Sequence, residues 1–404
     1  MTVFSTPEAP EPASAPRWAD LFAAPTYTDW VRGAVRARAE RSDACVLFDS
    51  TIREPTEALF AAVRNVATPG ASRYVSVFDG GNPFAIAAVA ARYGLEPEQI
   101  IATTGTTSAV SMALKALVAP GDEVLVESPG FDLLALLAAD AGAHVVPLKR
   151  GAPDYGVDPD DLERKLNPRT RAILLTNLHN PTGHWMAPAT VRAIADRAAR
   201  AGAVVILDEV YADFAKADGD TGRLAGRTSA NLAPNILCAS SLTKVFGLFS
   251  LKYGWLCGDR RLIDRVHAAW PDGDIGVSKL SHAVAAEVLE HPRLFDGHWM
   301  TVLDTARPVL ARHVEALAEE GLLEGDLPPL GCMYFPKLVG VLDTMAFCSA
   351  LWETHGVLLA PGEYFDAPGH VRIGFGCDPA EIDYGMTRLG EALRVFRRTA
   401  ALTS

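Results

Sequence analysis

Short, almost continuously apolar segments that alternate with helical patterns are the feature that most constrains this chain. Most of the segments are rich in Ile, Leu and Val, and stretches between them repeat apolar residues at helical spacing. Strands that are apolar on both faces are typical of a sheet covered by helices on both sides. Because such strands alternate with helices, we expect right-handed crossovers between them and a doubly wound, mostly parallel α/β sheet. The predicted strands occupy residues 100–104, 124–128, 144–148, 172–176, 204–210, 235–242 and 253–258.

The pattern changes near residue 290, where a long helical stretch is followed by short strands and a last helix. This change predicts a smaller α+β domain after the large one. We therefore expect an N-terminal arm with part of the small domain at 1–54, a large domain at 55–290, and a small C-terminal domain at 291–404. Within the first part, residues 1–17 are rich in Pro, Ala and Ser and are expected to form an arm that is either mobile or draped over the protein.

The composition of the chain argues against several classes of binding partner. The 404 residues carry a formal charge of −12, which argues against nucleic acid or anionic lipid as a main partner. No stretch approaches the ~20 apolar residues of a membrane helix, and the first residues lack an export pattern. The six cysteines are scattered without a CxxC pair, and no HExxH motif occurs. These features predict a cytoplasmic protein with reduced thiols and without a metal site.

Ligands in doubly wound sheets bind beyond the carboxyl ends of the strands, so the informative side chains should follow the strands. Lys244 lies between a predicted strand and a glycine-containing turn, in the stretch 240–255. Burial lowers the pKa of a lysine, and a neutral amine can form a Schiff base. The alternative is an ordinary surface lysine.

Two further strand exits carry polar side chains. Asp208 ends an apolar strand and Tyr211 follows three residues later. Asp208 is interpreted either as a carboxylate held against a buried cation or as a cap of the next helix. Asn180 lies in the NPTG turn of residues 177–183, where it either directs an amide across the strand ends or belongs to an ordinary turn.

A third strand exit has the character of an anion site. The sequence TTGTTSA at 103–109 leads from a strand through Gly105, Thr106 and Thr107 into a helix. Backbone N–H groups and the helix dipole at such a terminus favour a bound anion. An ordinary helix cap has the same residue types.

Taken together, these motifs resemble the fold-type-I, pyridoxal-phosphate-dependent aminotransferases of class I/II. The resemblance runs from about residue 70 to 395 and keeps the order GTT, ESPGF, NPTG, DEVY, SLTK and VRIGFG. It implies pyridoxal 5'-phosphate as cofactor, an α-amino acid and a 2-oxo acid as substrates, and a homodimer. Asp208 and Lys244 are 36 positions apart, which suits this family.

The resemblance also implies roles for single residues. Lys244 would hold the cofactor as a Schiff base and then move the proton as general base and acid. Asp208 would keep the pyridine nitrogen protonated, so that the ring accepts electrons. Tyr211 and Asn180 would hydrogen-bond the phenolic oxygen of the cofactor. Phe131 would stack on the ring face.

Two more contacts follow from the same resemblance. The cofactor phosphate would rest on the backbone of Gly105, Thr106 and Thr107 and on the hydroxyl of Ser241. Arg372, in the VRIGFG motif, would grip the α-carboxylate of the substrate, because its planar fork suits a two-point contact.

The chain departs from the family at Lys252, where the family usually has an arginine that clamps the phosphate. Lysine neutralises phosphate as a point charge without the bidentate fork, so we expect retained but weaker binding. The alternative is that Lys252 faces away and another cation serves. Tyr74 falls roughly where the family extends a tyrosine into the neighbouring subunit's phosphate site; the alternative is a loop aromatic in the subunit contact. Residues 276–281 are expected to face the partner.

Three functions remain open at this level. Transamination is the leading hypothesis, and the same residues would also serve a β-lyase, decarboxylase, racemase or cyclase. A ligand-sensing module is the third, although the chain has no room for a DNA-binding domain before residue 70. No second arginine for a dicarboxylate substrate can be assigned. Arg53, Arg150 and Arg223 are each expected to be solvated surface charges. The polar stretch 216–230 is expected to be a loop, either a surface insertion or an active-site flap.

Overall fold

The computed structural model describes residues 21–75, 77, 80–215, 228–270 and 278–403. The expected arm at 1–17 lies outside the described residues, and so does most of the predicted loop at 216–230. Thr228 and the residues after it are described and form a short 3₁₀ turn.

Fifteen strands are described, and the longer ones coincide with the segments predicted from the sequence. In chain order they are β1 (Cys45–Val46), β2 (Ile100–Thr103), β3 (Glu123–Ser128), β4 (His144–Gly151), β5 (Gly156–Val157), β6 (Thr170–Thr176), β7 (Val204–Asp208), β8 (Ile236–Ser241), β9 (Gly254–Gly258), β10 (Leu323–Glu324), β11 (Met333–Tyr334), β12 (Lys337–Leu338), β13 (Val357–Leu358), β14 (Ala360–Pro361) and β15 (Val371–Gly374).

Twelve α-helices are described between and after these strands. They are α1 (Tyr27–Glu40), α2 (Thr56–Val66), α3 (Pro83–Tyr93), α4 (Thr106–Leu117), α5 (Asp132–Asp140), α6 (Pro159–Lys165), α7 (Pro188–Arg200), α8 (Arg260–Ala269), α9 (Lys279–Glu290), α10 (Pro292–Glu319), α11 (Thr344–His355) and α12 (Pro379–Thr403). Short 3₁₀ helices occupy Pro97–Gln99, Ala212–Ala215, Ser229–Asn231, Phe249–Leu251 and Gly362–Phe365.

An eight-stranded sheet in the order β2-β9-β8-β7-β6-β3-β4-β5 forms the centre of the molecule. The strands from β8 to β4 pair in parallel, whereas β9 runs antiparallel to both of its neighbours. Helices cover both faces, and a separate apolar core lies on each face. The predicted doubly wound, mostly parallel α/β sheet is therefore confirmed. Because β2 and the parallel strands point the same way, their carboxyl ends meet at one edge.

Smaller sheets assemble the ends of the chain. The strand β1 pairs in parallel with β13, so the segment before residue 55 joins the C-terminal part. The strand β15 pairs with β11 and β14, which brings the VRIGFG motif to the side of the large sheet. Among the described helices, none is long and apolar enough to cross a membrane.

Two glycines touch where β9 passes the start of α4. A Cβ atom on Gly254 would lie 2.6 Å from the Cα of Gly105 and 2.7 Å from the carbonyl oxygen of Ser240. All of these neighbours are backbone atoms, which cannot rotate away. Gly105 itself has a φ of 113°, a conformation that favours glycine, and it caps α4. The close strand-to-helix contact therefore fixes the start of α4.

We predict that Gly254→Ala destabilises the protein by about 1–3 kcal/mol, the range for overpacking a tight interior contact. The matched control is Gly151→Ala, because a Cβ atom there meets nothing within 4 Å. Thermal unfolding of both variants and the wild type measures the effect. A Gly254→Ala melting temperature equal to that of the control would contradict the packing argument.

Candidate active site

A cavity of about 270 Å³ opens at the carboxyl edge of the central sheet. Its walls come from five strand ends of the large sheet, from the N-terminal helix and from the small sheet that contains β15. Every residue predicted to act in catalysis or binding lines it, with the exception of Tyr74. The lining residues are Tyr27, Ser50, Thr104, Gly105, Thr106, Thr107, Phe131, Leu133, Asn180, Asp208, Val210, Tyr211, Ser241, Thr243, Lys244, Phe249, Lys252 and Arg372.

One end of the cavity is built from the start of α4. The Oγ1 atom of Thr106 is buried and has no hydrogen-bond partner among the described residues. The hydroxyl of Ser241, at the end of β8, accepts a hydrogen bond from the backbone N–H of Thr243 at 3.3 Å. A helix N-terminus with an unused buried hydroxyl fits a bound phosphate, which would satisfy both the N–H groups and the hydroxyl.

The amine of Lys244 reaches into the cavity from the turn after β8. Its Nζ atom donates a hydrogen bond to Thr51 Oγ1 at 3.0 Å and lies 3.8 Å from Asp49 Oδ1. The backbone N–H of Ile52 donates to the carbonyl of Lys244 at 3.0 Å, which ties this turn to the segment 49–52. The lysine side chain is 28% exposed, and Lys244 lines the cavity.

Asp208 ends β7 inside the cavity wall, where it is buried. Burial raises the pKa of its carboxyl to about 7, and the nearby Glu127 adds to the rise. The backbone N–H of Val210, which donates to Asp208 Oδ1 at 3.0 Å, lowers this pKa, as does the charge of Lys244. A buried carboxyl with one hydrogen bond from the described part of the chain is well suited to pair with a cationic group of a ligand.

Tyr211 lies beside Asp208 and is also buried. Its hydroxyl shares a hydrogen bond of 2.7 Å with Ser50 Oγ. Burial raises the pKa of this phenol, although the charge of Arg372 opposes the rise. At neutral pH the hydroxyl therefore keeps its proton and can act as a donor.

Arg372 is buried on β15 at the other end of the cavity. Its Nη1 atom donates to Asn180 Oδ1 at 2.8 Å, and its Nη2 atom donates to the carbonyl of Phe48 at 3.0 Å and to the hydroxyl of Tyr27. The guanidinium carbon lies 4.9 Å from the centre of the Tyr27 ring and 4.9 Å from that of Phe365. Arg372 and Asn180, 192 positions apart in sequence, thus form one buried pair.

Lys252 lines the same cavity at the end of the short helix Phe249–Leu251. Its φ of 49° is left-handed, and its Nζ atom lies 3.4 Å from the centre of the Phe249 ring. Burial lowers the pKa of this amine, and the neighbouring charge of Lys244 lowers it further. Lys252 therefore lies at the cavity, and its contact with a phosphate stays a prediction.

Phe131 and Tyr74 differ in their positions. Phe131 precedes α5, lines the cavity and contacts the Tyr27 ring edge-on at a centroid distance of 5.7 Å. Tyr74 is exposed and outside the cavity of the single chain, with the Nζ atom of Lys279 4.1 Å from its ring centre. Of the predicted partner-facing loop, residues 276 and 277 lie outside the described residues, and Lys279 already begins α9.

The structure corrects one expectation about the arginines. Arg150 is buried rather than solvated, and its Nη1 atom donates to Glu127 Oε2 at 2.5 Å. Adjacent parallel strands place the two side chains together, which the sequence spacing does not reveal. Arg53 is exposed and lies 3.4 Å from Asp378, as expected for a surface charge. Arg223 lies outside the described residues.

Four residues that line the cavity or lie beside the Lys244 amine were not predicted from the sequence. Asp49, Ser50 and Thr51 follow the apolar run CVLF, and such a polar cluster after a strand is a signal that could have been used. Tyr27 carries no such signal, because an aromatic at the start of an N-terminal helix is ordinary. Only the packing of α1 against α5 brings it to the cavity.

The fold of this chain is similar to that of solved enzyme structures. A PLP-dependent aminotransferase structure from Streptococcus suis superposes with a TM-score of 0.78 at 24% identity, over 95% of this chain and 99% of that one. This likeness shows that the chain has the fold of such enzymes.

The family follows from sequence. The model for "Aminotransferase class I and II" matches residues 46–389, and this chain belongs to that family. It is a pyridoxal-phosphate-dependent enzyme of the aminotransferase class, as the sequence predicted. Thr106, Asp208 and Lys244 make the cavity a fitting site for this cofactor.

Two curated relatives have different names. A probable N-succinyldiaminopimelate aminotransferase DapC from Mycobacterium tuberculosis is 33% identical over 70% of this chain and 69% of its own length. A capreomycidine synthase from Streptomyces vinaceus is 32% identical over 77% of this chain and 79% of its own. Among solved structures, the PLP-dependent cyclase OrfR is 27% identical, with a TM-score of 0.77 over 92% of this chain and 97% of that one.

The raised pKa of Asp208 predicts how the cofactor-stripped protein responds to pH. The folded protein keeps this carboxyl protonated up to about pH 7, whereas its ordinary pKa is 3.8. Unfolding therefore releases a proton between these values, so the stability falls as the pH rises. From pH 5.5 to 7 the contribution of Asp208 is about 2 kcal/mol.

We expect Asp208→Asn to reduce this fall, since the amide does not titrate. The matched control is Asp378→Asn, which removes an exposed carboxylate and should leave the fall unchanged. Chemical denaturation of the stripped proteins at a series of pH values measures it. An equal fall in wild type and Asp208→Asn would show that the burial of Asp208 is not its cause.

Proposed function

We propose that this enzyme moves an amino group from an α-amino acid to a 2-oxo acid, with Lys244 as the covalent and proton-transferring residue. The observation that carries the proposal is the convergence of Lys244, Asp208 and Arg372 on one cavity. These residues come from two strand ends of the large sheet and from the small sheet. They supply an amine, a buried carboxyl and a carboxylate-binding fork at one place.

When bound, pyridoxal 5'-phosphate supplies an electron sink that makes the bonds to the substrate Cα atom labile. The protein must then place a base at that atom. We assign this role to Lys244, whose amine is held in the structure by Thr51 and faces Asp49. In this assignment Thr51 and Asp49 receive the amine whenever it is not covalently engaged, and so keep it oriented for proton transfer.

Asp208 and Tyr211 are assigned to the polar atoms of the cofactor ring. The buried carboxyl of Asp208 would become ionised against the protonated pyridine nitrogen, because the attraction outweighs the cost of burying one charge alone. Tyr211, which keeps its proton, would donate to the phenolic oxygen together with the amide of Asn180. Phe131 would cover the ring face.

The phosphate is assigned to the N-terminal end of α4. The backbone N–H groups of Gly105, Thr106 and Thr107 would bind its oxygens, with the hydroxyl of Ser241 beside them. The unused Thr106 hydroxyl supports this assignment. Lys252 would neutralise the phosphate. To do so its amine would leave the Phe249 ring, and this cation–π contact is weaker than an ion pair with phosphate.

Arg372 is assigned to the α-carboxylate of the substrate. Its bonds to Asn180 and Phe48 orient the guanidinium, and its burial strengthens a charge-assisted contact. Because the rings of Tyr27 and Phe365 enclose the group, water has little access to it. The site therefore favours ligands that bring their own negative charge.

We further propose a cytoplasmic homodimer of chains divided at about residues 54 and 290. Exposed apolar side chains on α2, α3, α9 and the loop between α2 and α3 support a second copy as the occupant of that surface: Phe60, Tyr74, Phe84 and Leu280. In such a dimer Tyr74 would reach the phosphate site of the neighbouring subunit. The pairing of β1 with β13 supports the placement of the first 54 residues with the small domain.

The covalent role is tested by borohydride reduction of the protein with pyridoxal 5'-phosphate, followed by peptide mapping. We expect the label on Lys244 and its complete loss in Lys244→Ala. Lys252→Ala is the control, since a second amine lines the same cavity. Labelling that persists in Lys244→Ala, or that moves to Lys252, would contradict the assignment.

The phosphate role of Lys252 is tested by Lys252→Arg. The bidentate fork should lower the Kd of pyridoxal 5'-phosphate by about three- to tenfold, the size of one additional hydrogen bond. Both residues have a Cβ atom, so the left-handed backbone is not strained further. The control is Lys337→Arg, an exposed lysine 3.1 Å from Glu324. Unchanged or weaker cofactor binding would count against the role.

A second candidate function is a cyclase or lyase reaction on an amino acid. It is favoured by the synthase and cyclase names of two similar proteins. Transamination converts the cofactor to its amino form and needs a 2-oxo acid to restore it. A cyclase or lyase ends each turnover with the cofactor restored and needs no second substrate. Absorbance of the cofactor after single additions of amino acids, with identification of the product, distinguishes the two.

A further inference from the structure

Tyr27 begins α1 and is held firmly at the edge of the cavity. Its backbone N–H donates to Asp132 Oδ2 at 2.7 Å, and its side chain is buried. The ring packs on Trp30 at a centroid distance of 5.7 Å and on Phe365 at 5.4 Å. The hydroxyl of Tyr27 is therefore presented to the cavity by a ring with little freedom to move.

The hydrogen bonds that Arg372 already makes determine which of its N–H groups are available to a ligand. A guanidinium has five N–H groups. Both hydrogens of Nη2 are used, one by Phe48 and one by Tyr27, while Nη1 makes one bond to Asn180. Nε is buried and has no partner among the described residues. A two-point contact between a carboxylate and a guanidinium uses an Nη2 hydrogen together with a hydrogen of Nη1 or Nε. Because Tyr27 and Phe48 accept both Nη2 hydrogens, neither two-point arrangement is open while these bonds persist.

The Tyr27 hydroxyl accepts a hydrogen bond from Arg372, so its own hydrogen is left for another acceptor. We propose that Tyr27 is a substrate-binding residue whose hydroxyl donates a hydrogen bond to the α-carboxylate, beside the Nη1 hydrogen of Arg372. The inference rests on the proposed function, in which Arg372 binds that carboxylate. It assigns the carboxylate site to a phenol and an arginine together rather than to the arginine alone.

Two properties of Tyr27 support this role. Burial raises the pKa of its phenol, so the hydroxyl retains the hydrogen that it would donate at neutral pH. Packing by Trp30 and Phe365 orients the donor before the ligand arrives, and less conformational entropy is lost on binding. The sequence position of Tyr27, far from every motif of the family, explains why the role was not evident.

The test uses two probes that differ only in a carboxylate. 2-Methylalanine has no Cα hydrogen and so cannot undergo proton abstraction there, and propan-2-amine is the same amine with hydrogen in place of the carboxylate. Both are titrated into the holoenzyme, and the Kd is read from the visible absorbance of the cofactor. We expect Tyr27→Phe to raise the Kd of 2-methylalanine about tenfold, the effect of one hydrogen bond to a charged group. The Kd of propan-2-amine should stay within about twofold.

Tyr364→Phe is the matched control, because its hydroxyl donates to the carbonyl of Ala24 in the same aromatic cluster. It should leave both Kd values unchanged, and thermal unfolding should show that all variants are folded. An unchanged Kd of 2-methylalanine in Tyr27→Phe overturns the inference alone. Equal weakening of both probes also overturns it, since that indicates a distorted site. If wild-type protein binds neither probe, the proposed function fails with it.

Discussion

The buried guanidinium of Arg372 is the point on which the architecture of the site depends. Its hydrogen bonds join the small sheet to Asn180, which follows β6 of the large sheet, and to Phe48 in the N-terminal segment. A buried cation without partners would cost several kcal/mol, so these contacts are required by the burial itself. The same bonds close one wall of the cavity. The contacts that satisfy the buried charge therefore also shape the cavity.

The other charges of the site illustrate two ways of burying a carboxyl. Glu127 is paired with Arg150 and also accepts hydrogen bonds from Thr176. Among the residues that the structure describes, Asp208 has one backbone donor and no cation in hydrogen-bond contact, and its pKa is raised to about 7. In the first arrangement the protein itself supplies both the cation and the hydrogen-bond donors. The second leaves a carboxyl with a raised pKa at the cavity wall, as expected for a group that pairs with a bound cation.

Several elements could be predicted because local chemistry dictates them. The apolar segments form buried strands, and Gly105, Asp208 and Lys244 follow them as connections in a doubly wound sheet require. The prediction that Arg150 is a solvated surface charge was wrong. Arginines are usually solvated, and the sequence spacing does not reveal that the strand carrying Glu127 lies next to that of Arg150. Tyr27 was missed for a similar reason. Its position depends on how α1 packs, a contact between residues more than 100 positions apart.

The sequence by itself determined the class of fold, the family and the set of polar residues at the strand exits. These follow from periodicity and from motifs whose members lie a few residues apart. Tertiary structure alone decided that Thr51 and Asp49 face Lys244, that Tyr27 occupies one edge of Arg372, and that Lys252 lines the cavity. Such contacts join segments distant in sequence. Their geometry arises only when the sheets and helices are packed together.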